Sequence, residues 1–197
     1  MQIVFLSMHS PQSYTESDGT GEYPDAPKRC PFPGCHTPTA MAKHGYYSRY
    51  LVVEGFCGRI RVRRYICPKC GRTVSMLPSF CLSRHTYGVA PVVKLMRRTV
   101  EAGSARGAAS ACSVGGIHFT RRHAALYLTR LRSNYKLVQY GVMQMCPGSA
   151  IADGSPGAIE ATGRLLLWIR PTLTAEFNAD FHRTTGMSFM SSQTRIA

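Results

Sequence analysis

The chain has 197 residues, of which 44% are hydrophobic and 17% charged, and its formal net charge is +14 at pH 7. This hydrophobic content excludes a fully disordered chain, because it is enough for the core of one ordinary domain or two small ones. No run approaches the roughly eighteen apolar residues of a membrane span, and no basic leader opens the chain. We therefore expect a soluble cytoplasmic protein without a membrane partner.

The positive charge is concentrated in the middle of the chain. Residues 1–27 contain four acidic residues and no lysine or arginine, whereas residues 28–136 contain twenty lysines and arginines and two glutamates. Such a block repels itself unless an anion is close, and nucleic acid is the commonest intracellular polyanion. The charge therefore favours a nucleic-acid partner. The alternative is a generic basic surface that keeps the protein in solution.

The first segment, residues 1–29, is predicted as an N-terminal strand followed by an acidic linker. Residues 2–6 are apolar enough for a lone strand. Residues 10–29 are rich in Ser, Thr, Gly, Pro and acids, without apolar periodicity, and this is typical of a linker. We assign no chemistry to this segment.

The second segment, residues 30–82, is predicted as a β-hairpin with a cysteine pair at each end. Aromatic and β-branched residues fill 46–53 and 59–67, and two glycines in 54–58 supply the turn. This combination is typical of two antiparallel strands.

In the second predicted strand, apolar and cationic residues alternate. Ile60 and Val62 alternate with Arg61 and Arg63, which predicts one apolar and one cationic face. The adjacent arginines Arg63 and Arg64 break this alternation, and a break of this kind is typical of a β-bulge.

The third segment, residues 88–138, is predicted to contain three helices. The first has Pro91 in its first turn and ends at Gly103, Ser104 caps a short second helix of small residues, and Thr120 caps the third. The apolar positions of the third helix are Ala124, Leu128 and Leu131. A small-residue second helix and a glycine-containing turn indicate a helix-turn-helix-like region.

The last segment, residues 139–197, is predicted as a loop and C-terminal helices of unknown role. The helices are expected at 158–170 and 173–186. The predicted fold class is therefore α+β, with a small β-hairpin zinc ribbon followed by a helical helix-turn-helix-like region.

Two of the cysteine pairs have the spacing of metal ligands. Cys30 and Cys35 are joined to Cys67 and Cys70 by about thirty residues of predicted hairpin. Zinc prefers four tetrahedral ligands, and two tight turns can supply four thiolates to one ion. Gly71 suits such a turn, because backbone amides point toward the sulfur where a side chain would interfere. We predict one structural Zn²⁺ bound by these four cysteines.

The other interpretations of the cysteines are weaker. A redox pair at Cys67 and Cys70 requires a strand that leads into a helix, whereas the residues after Cys70 are strand-like. Cys57 and His44 are the alternative ligands. The cysteines predicted as small buried hydrophobic residues are Cys81, Cys112 and Cys146.

Basic residues of the second strand, the second cysteine turn and the third helix are the candidate nucleic-acid contacts. They are Arg59, Arg61, Arg63, Arg64, Lys69, Arg72, Arg121, Arg122 and His123. Strand and turn arginines suit phosphate contacts. In a helix-turn-helix the first turn of the third helix faces the major groove. Tyrosines near these arginines either stack on bases or cover the hairpin, and we favour the second role.

The segments CPFPGC and RVRRYICPKCGRTVSMLP carry a family resemblance. They resemble uncharacterised bacterial zinc-ribbon proteins that are classified as a domain of unknown function. That family is itself similar to the N-terminal zinc ribbon and helix-turn-helix of insertion-sequence transposases. The resemblance covers about residues 1–135 and implies a double-stranded DNA-binding module of mobile-element origin.

An enzymatic role is not expected. A transposase of the RNase H-like class needs three carboxylates on a large fold to bind two metal ions. After the third helix the chain has four acidic residues within its last sixty or so residues: Asp153, Glu160, Glu176 and Asp180. Two other functions remain open: an interaction adapter for a transposase or regulator, and a thiol oxidoreductase. Self-association is also open, and no small-molecule substrate is expected.

Overall fold

The computed structural model describes residues 1–17, 23–35, 38–110, 113–114, 116–148, 157–169 and 173–191. Its strands are β1 (Gln2–Phe5), β2 (Ala42–Val53), β3 (Phe56–Ile66), β4 (Thr73–Pro78), β5 (Ser113–Val114) and β6 (Ile117–His118). Its helices are α1 (Pro11–Glu16), α2 (Val89–Glu101), α3 (Ala105–Ser110), α4 (Arg121–Ser133), α5 (Tyr135–Met145), α6 (Ala158–Leu166) and α7 (Thr174–Thr185). The predicted α+β class is confirmed.

The main sheet has four strands in the order β1-β4-β3-β2. The predicted hairpin is confirmed as β2 and β3, which are antiparallel and joined at Gly55, whose φ is +76°. The prediction of a lone N-terminal strand is wrong, because β1 pairs in parallel with β4 and Gln2 lies opposite Ser75. The hairpin is therefore part of a larger sheet that includes the start of the chain.

The alternation along β3 is confirmed, but the position of the bulge is wrong. Ile60 and Val62 are fully buried, while Arg61 on the other face is exposed. The irregular register lies in β2, where Lys43 pairs with Tyr65 and Tyr46 pairs with Arg63. The extra residue thus belongs to the partner strand.

The predicted linker is wrong for residues 11–16, which form α1. The helix begins after Ser10, whose Oγ accepts a hydrogen bond from the Ser13 amide at 3.2 Å. Tyr14 is buried and its hydroxyl donates to the Arg61 carbonyl at 3.0 Å. Tyr14 therefore anchors this polar segment on β3. The sequence did not predict the helix, because the segment has no apolar periodicity.

The predicted helices α2, α3 and α4 are present. Ser104 Oγ accepts from the Gly107 amide at 3.0 Å, and Thr120 is the N-cap of α4 as predicted. Between α3 and α4 lies the short β5–β6 hairpin. This hairpin takes the place of a simple turn, so the helix-turn-helix arrangement is not confirmed.

The C-terminal helices pack into the same core as α2 and α4. Val92 and Leu131 share this core with Leu165 of α6 and Phe181 of α7. Helix α7 ends at Gly186 as predicted, with φ of +69°, whereas α6 ends at Leu166, earlier than predicted. The described helices include none long and apolar enough to cross a membrane, since the longest have 13 residues.

Candidate metal centre and basic surface

Two tight turns form the candidate metal centre at one end of the β2–β3 hairpin. In the first turn, the Cys35 amide donates to the Phe32 carbonyl at 3.1 Å. In the second, the Gly71 amide donates to the Cys67 carbonyl at 2.9 Å, and Gly71 has φ of +68°. The second turn thus uses the left-handed conformation that glycine adopts without strain. It then leads directly into β4.

The four predicted cysteines converge in space. Their sulfur atoms all lie within 4.8 Å of one another. The Sγ atoms of Cys30 and Cys70 are 3.7 Å apart, and those of Cys35 and Cys67 are 3.8 Å apart. A tetrahedral zinc site with Zn–S bonds of about 2.3 Å has S···S edges of about 3.8 Å. These separations fit one tetrahedral ion, and they exceed the roughly 2.05 Å of a disulfide bond.

Backbone amides and burial set the thiol chemistry of the centre. Hydrogen bonds from the backbone amides of Cys70 and Lys69 lower the pKa of Cys67. Burial raises the pKa of Cys30 to about 12, although a hydrogen bond from the Phe32 amide opposes this shift. Cys30 and Cys67 are buried and Cys70 is exposed. Deprotonation of the buried thiols is therefore favourable only when a cation compensates the negative charge.

A small core of its own surrounds the candidate centre. Cys30 and Cys67 are buried together with Met41, Tyr65 and Val74. The guanidinium of Arg72 lies 5.4 Å from the centre of the Phe32 ring and links the two turns. Sequence reasoning did not identify Met41 or Phe32, because neither residue type signals a metal site. Buried side chains thus pack around the sulfurs of both turns.

The remaining cysteines lie outside this centre. Cys57 is exposed at the turn end of the hairpin, about 30 Å of strand away, and its sulfur is 2.9 Å from the Tyr50 hydroxyl. Cys81 is buried as predicted, but Cys146 is exposed, so that prediction is wrong. Cys112 lies outside the described residues, and His44 is not part of the sulfur cluster. The alternative ligands are thus not brought to the centre.

Metal binding at this centre is expected to weaken as the pH falls. Each thiol must lose its proton to bind an ion, and the pKa of Cys30, raised to about 12, makes proton release part of its binding step. We expect one divalent ion per chain, with proton release on binding. Competition with a chelator at several pH values measures this. An affinity that does not change between neutral and acidic pH would contradict thiolate ligation.

The predicted basic contacts form separate groups, not one patch. Lys69 and Arg72 are exposed at the end of the hairpin that carries the four cysteines. Arg121 and Arg122 are exposed at the start of α4. Helix α4 begins beside the turn end, because Tyr87 pairs with Val52 and its ring contacts that of His123 at 5.2 Å. The two groups are separated by roughly the 30 Å length of the hairpin.

The arginines of β3 are distributed over both faces of the sheet. Arg59 and Arg61 are exposed. Arg63 is only 8% exposed and lies over the Tyr46 ring, with its guanidinium carbon 4.6 Å from the ring centre. Arg64 faces the opposite side and donates to Thr73 Oγ1 at 3.1 Å. Burial removes Arg63 from the predicted phosphate contacts, and the tyrosine that covers it has the packing role expected.

His123 is held within the start of α4. Its Nδ1 accepts a hydrogen bond from the Thr120 amide at 3.1 Å. Its ring contacts those of Tyr87 and Phe119 at 5.2 and 5.8 Å. The side chain therefore caps the helix, whereas Arg121 and Arg122 extend into solvent.

Comparison of the chain with protein-family models, with curated proteins and with solved structures finds no match.

Proposed function

We propose that the protein is a double-stranded DNA-binding module in which α4 contacts the major groove and one structural zinc ion stabilises the hairpin. The observation that supports this most directly is the solvent-facing side of α4. The module acts without catalysis of its own, and its resemblance to transposase N-terminal regions favours a mobile-element origin.

Helix α4 has one face in the core and one in solvent. Its buried residues are Ala124, Tyr127, Leu128 and Leu131. Its exposed residues include Arg122, Ala125, Leu126, Thr129 and Arg132. These positions recur at helical spacing, so they form one stripe along the helix. A helix fits the major groove, where arginine reads guanine and smaller side chains contact bases or phosphates.

The charge at the start of α4 is unfavourable for the helix alone. Arg121 and Arg122 occupy the first turn, which contains no acidic residue. The helix dipole places partial positive charge at this end and disfavours cations there. A phosphate at the same position would be stabilised by both the dipole and the arginines. This local conflict between charge and helix stability supports a role in anion contact.

Zinc is the ion favoured for the cysteine centre, because four thiolates in tetrahedral geometry are its usual structural ligands. Four thiolates around one Zn²⁺ have a net charge of about −2. Lys69 and Arg72 are exposed beside the cysteines and partly compensate this negative charge. The end of the hairpin with the four cysteines therefore has a structural role, and α4 contacts the DNA.

The geometry offers less support for a thiol oxidoreductase. Cys67 pairs at 3.8 Å with Cys35, from the other turn. Gly71 follows Cys70 and leads into β4 rather than into a helix. A reactive first cysteine at a helix N-terminus is thus lacking in this turn.

The double variant Arg121→Ala/Arg122→Ala is expected to bind duplex DNA about 10- to 100-fold more weakly than the wild type at moderate salt. Removing two phosphate contacts reduces the slope of log K against log salt by about 2. Fluorescence anisotropy at several salt concentrations measures both quantities. The probes are duplexes of random sequence and duplexes with the end sequences of a mobile element.

The matched control is Arg164→Ala/Arg183→Ala, which removes the same charge from α6 and α7. Both arginines form surface ion pairs, with Glu160 and with Asp180. We expect the salt slope of this control to equal that of the wild type. Equal losses in the two double variants would show that net charge alone attracts the DNA. Unchanged binding in both would reject DNA contact by α4.

A further inference from the structure

A second basic site lies on the opposite side of the sheet from Arg61. It is a cavity of about 580 Å³ between the face of β1 and β4 and the helical region. The cationic side chains in its lining are Arg64, Arg84 and Arg130. The lining includes no carboxylate among the described residues. Three guanidinium groups around one cavity repel one another unless an anion lies between them.

Arg84 has an unusual backbone conformation. Its φ is +62°, and it is the one residue other than glycine with positive φ in the described part of the chain. Arginine is strained in this region, whereas glycine is not. The Arg49 guanidinium donates to the Leu82 carbonyl at 3.1 Å and also to the His85 carbonyl, which fixes the loop on both sides of Arg84. The loop thus holds a strained arginine at the cavity.

The neutral groups in the lining also suit a polar ligand. His182 donates from Nε2 to the Gln2 carbonyl at 3.1 Å, and burial lowers its pKa. Burial likewise lowers the pKa of His85. The buried Oγ of Ser191 has no hydrogen-bond partner among the described residues. A buried hydroxyl of this kind usually has a partner, and a ligand in the cavity would supply one.

We infer that this cavity binds the phosphate groups of a small phosphorylated molecule. Arginine forks match phosphate oxygens in two parallel hydrogen bonds, and three of them offset a charge of about −3. The volume lies within the range of small-ligand sites, about 300–1,000 Å³. The cavity binds its ligand whether or not α4 binds DNA. The bound molecule is a ligand and undergoes no reaction there.

The decisive variant is Arg84→Gly, because it removes the charge and the strain together. Binding of inorganic pyrophosphate and of ATP to the full chain is measured by calorimetry at constant ionic strength. We expect both dissociation constants to rise at least about tenfold. The melting temperature of the free protein stays equal or rises, because glycine adopts this conformation without strain. A residue with a purely structural role would lower it.

Two further variants complete the test. Arg64→Gln/Arg130→Gln is expected to abolish saturable binding of both probes. The control is Arg106→Gln, an exposed arginine of α3 outside the cavity, which should bind as the wild type does. If ATP binds more tightly than inorganic triphosphate, which has the same phosphate chain, the ligand is a nucleotide; if these two bind equally, it is a free polyphosphate.

Several results would overturn the inference. They are the absence of saturable binding, an equal loss in Arg106→Gln, and a lower melting temperature of Arg84→Gly. Displacement of pyrophosphate by short duplex DNA would also overturn it, since the cavity would then belong to the DNA surface. A failure of DNA binding in the α4 variant leaves these measurements unaffected, so the two proposals are tested separately.

Discussion

A Cys70→Ser variant is expected to lose its bound ion and to melt roughly 10 °C or more below the wild type. Cys70 is exposed, so its replacement opens no cavity and removes ligation alone. Binding of a structural zinc ion contributes about 10–16 kcal/mol in small metal modules, comparable to the about 5–15 kcal/mol of net stability of a whole protein. For a chain of this size, each kcal/mol of lost stability lowers the melting temperature by about 2–4 °C. Loss of several kcal/mol of the metal-binding free energy therefore gives the expected shift.

Calorimetry and metal analysis of the purified variant measure this effect. The control is Cys57→Ser, which changes another exposed cysteine at the other end of the hairpin. Its melting temperature should change by no more than about 2 °C, as for ordinary surface substitutions. If Cys70→Ser keeps its metal and melts together with Cys57→Ser, the four sulfurs do not share an ion.

Among Gly→Ala changes at the described glycines, Gly88→Ala is expected to lower the free energy of unfolding the most. A Cβ at Gly88 would lie 2.3 Å from Val53 Cγ1 and 2.7 Å from the Phe80 carbonyl oxygen. The backbone cannot move away easily, because the Gly88 amide donates to Val52 and the next amide donates to Phe80, each at 3.0 Å. Overpacking costs about 1–3 kcal/mol and occasionally more, and we expect the upper end of this range because one obstructing atom belongs to the backbone.

Gly157→Ala is the matched control for this prediction. Gly157 is also a helix N-cap with extended backbone, with φ of −57° and ψ of 159°, against −73° and 177° at Gly88. A Cβ there meets no described atom within 4 Å. Chemical denaturation followed by the fluorescence of Trp168, which packs against the helical core, compares the two. Equal stabilities of the two variants would show that the loop around Gly88 moves to accommodate the added methyl group.

Much of the secondary structure and the cluster of four cysteines was predictable, because their signals are local. Helix α4 is encoded by its cap and by apolar residues at helical spacing, such as Ala124 and Leu131. The cysteine turns are encoded by spacing and by Gly71. The convergence of the four sulfurs followed from the predicted hairpin, since antiparallel strands bring residues far apart in sequence to one end.

The sequence alone therefore determined the hairpin, the main helices and the four-sulfur centre, each from short-range patterns. The tertiary structure decided the partner of β1, the anchoring of α1 by Tyr14, and the assignment of Arg63 and Arg64 to opposite faces. It also decided that Arg64, Arg84 and Arg130 share a cavity. These features depend on contacts between residues distant in sequence, such as Gln2 opposite Ser75. Side-chain periodicity specifies which face of an element is buried, but not which element covers it.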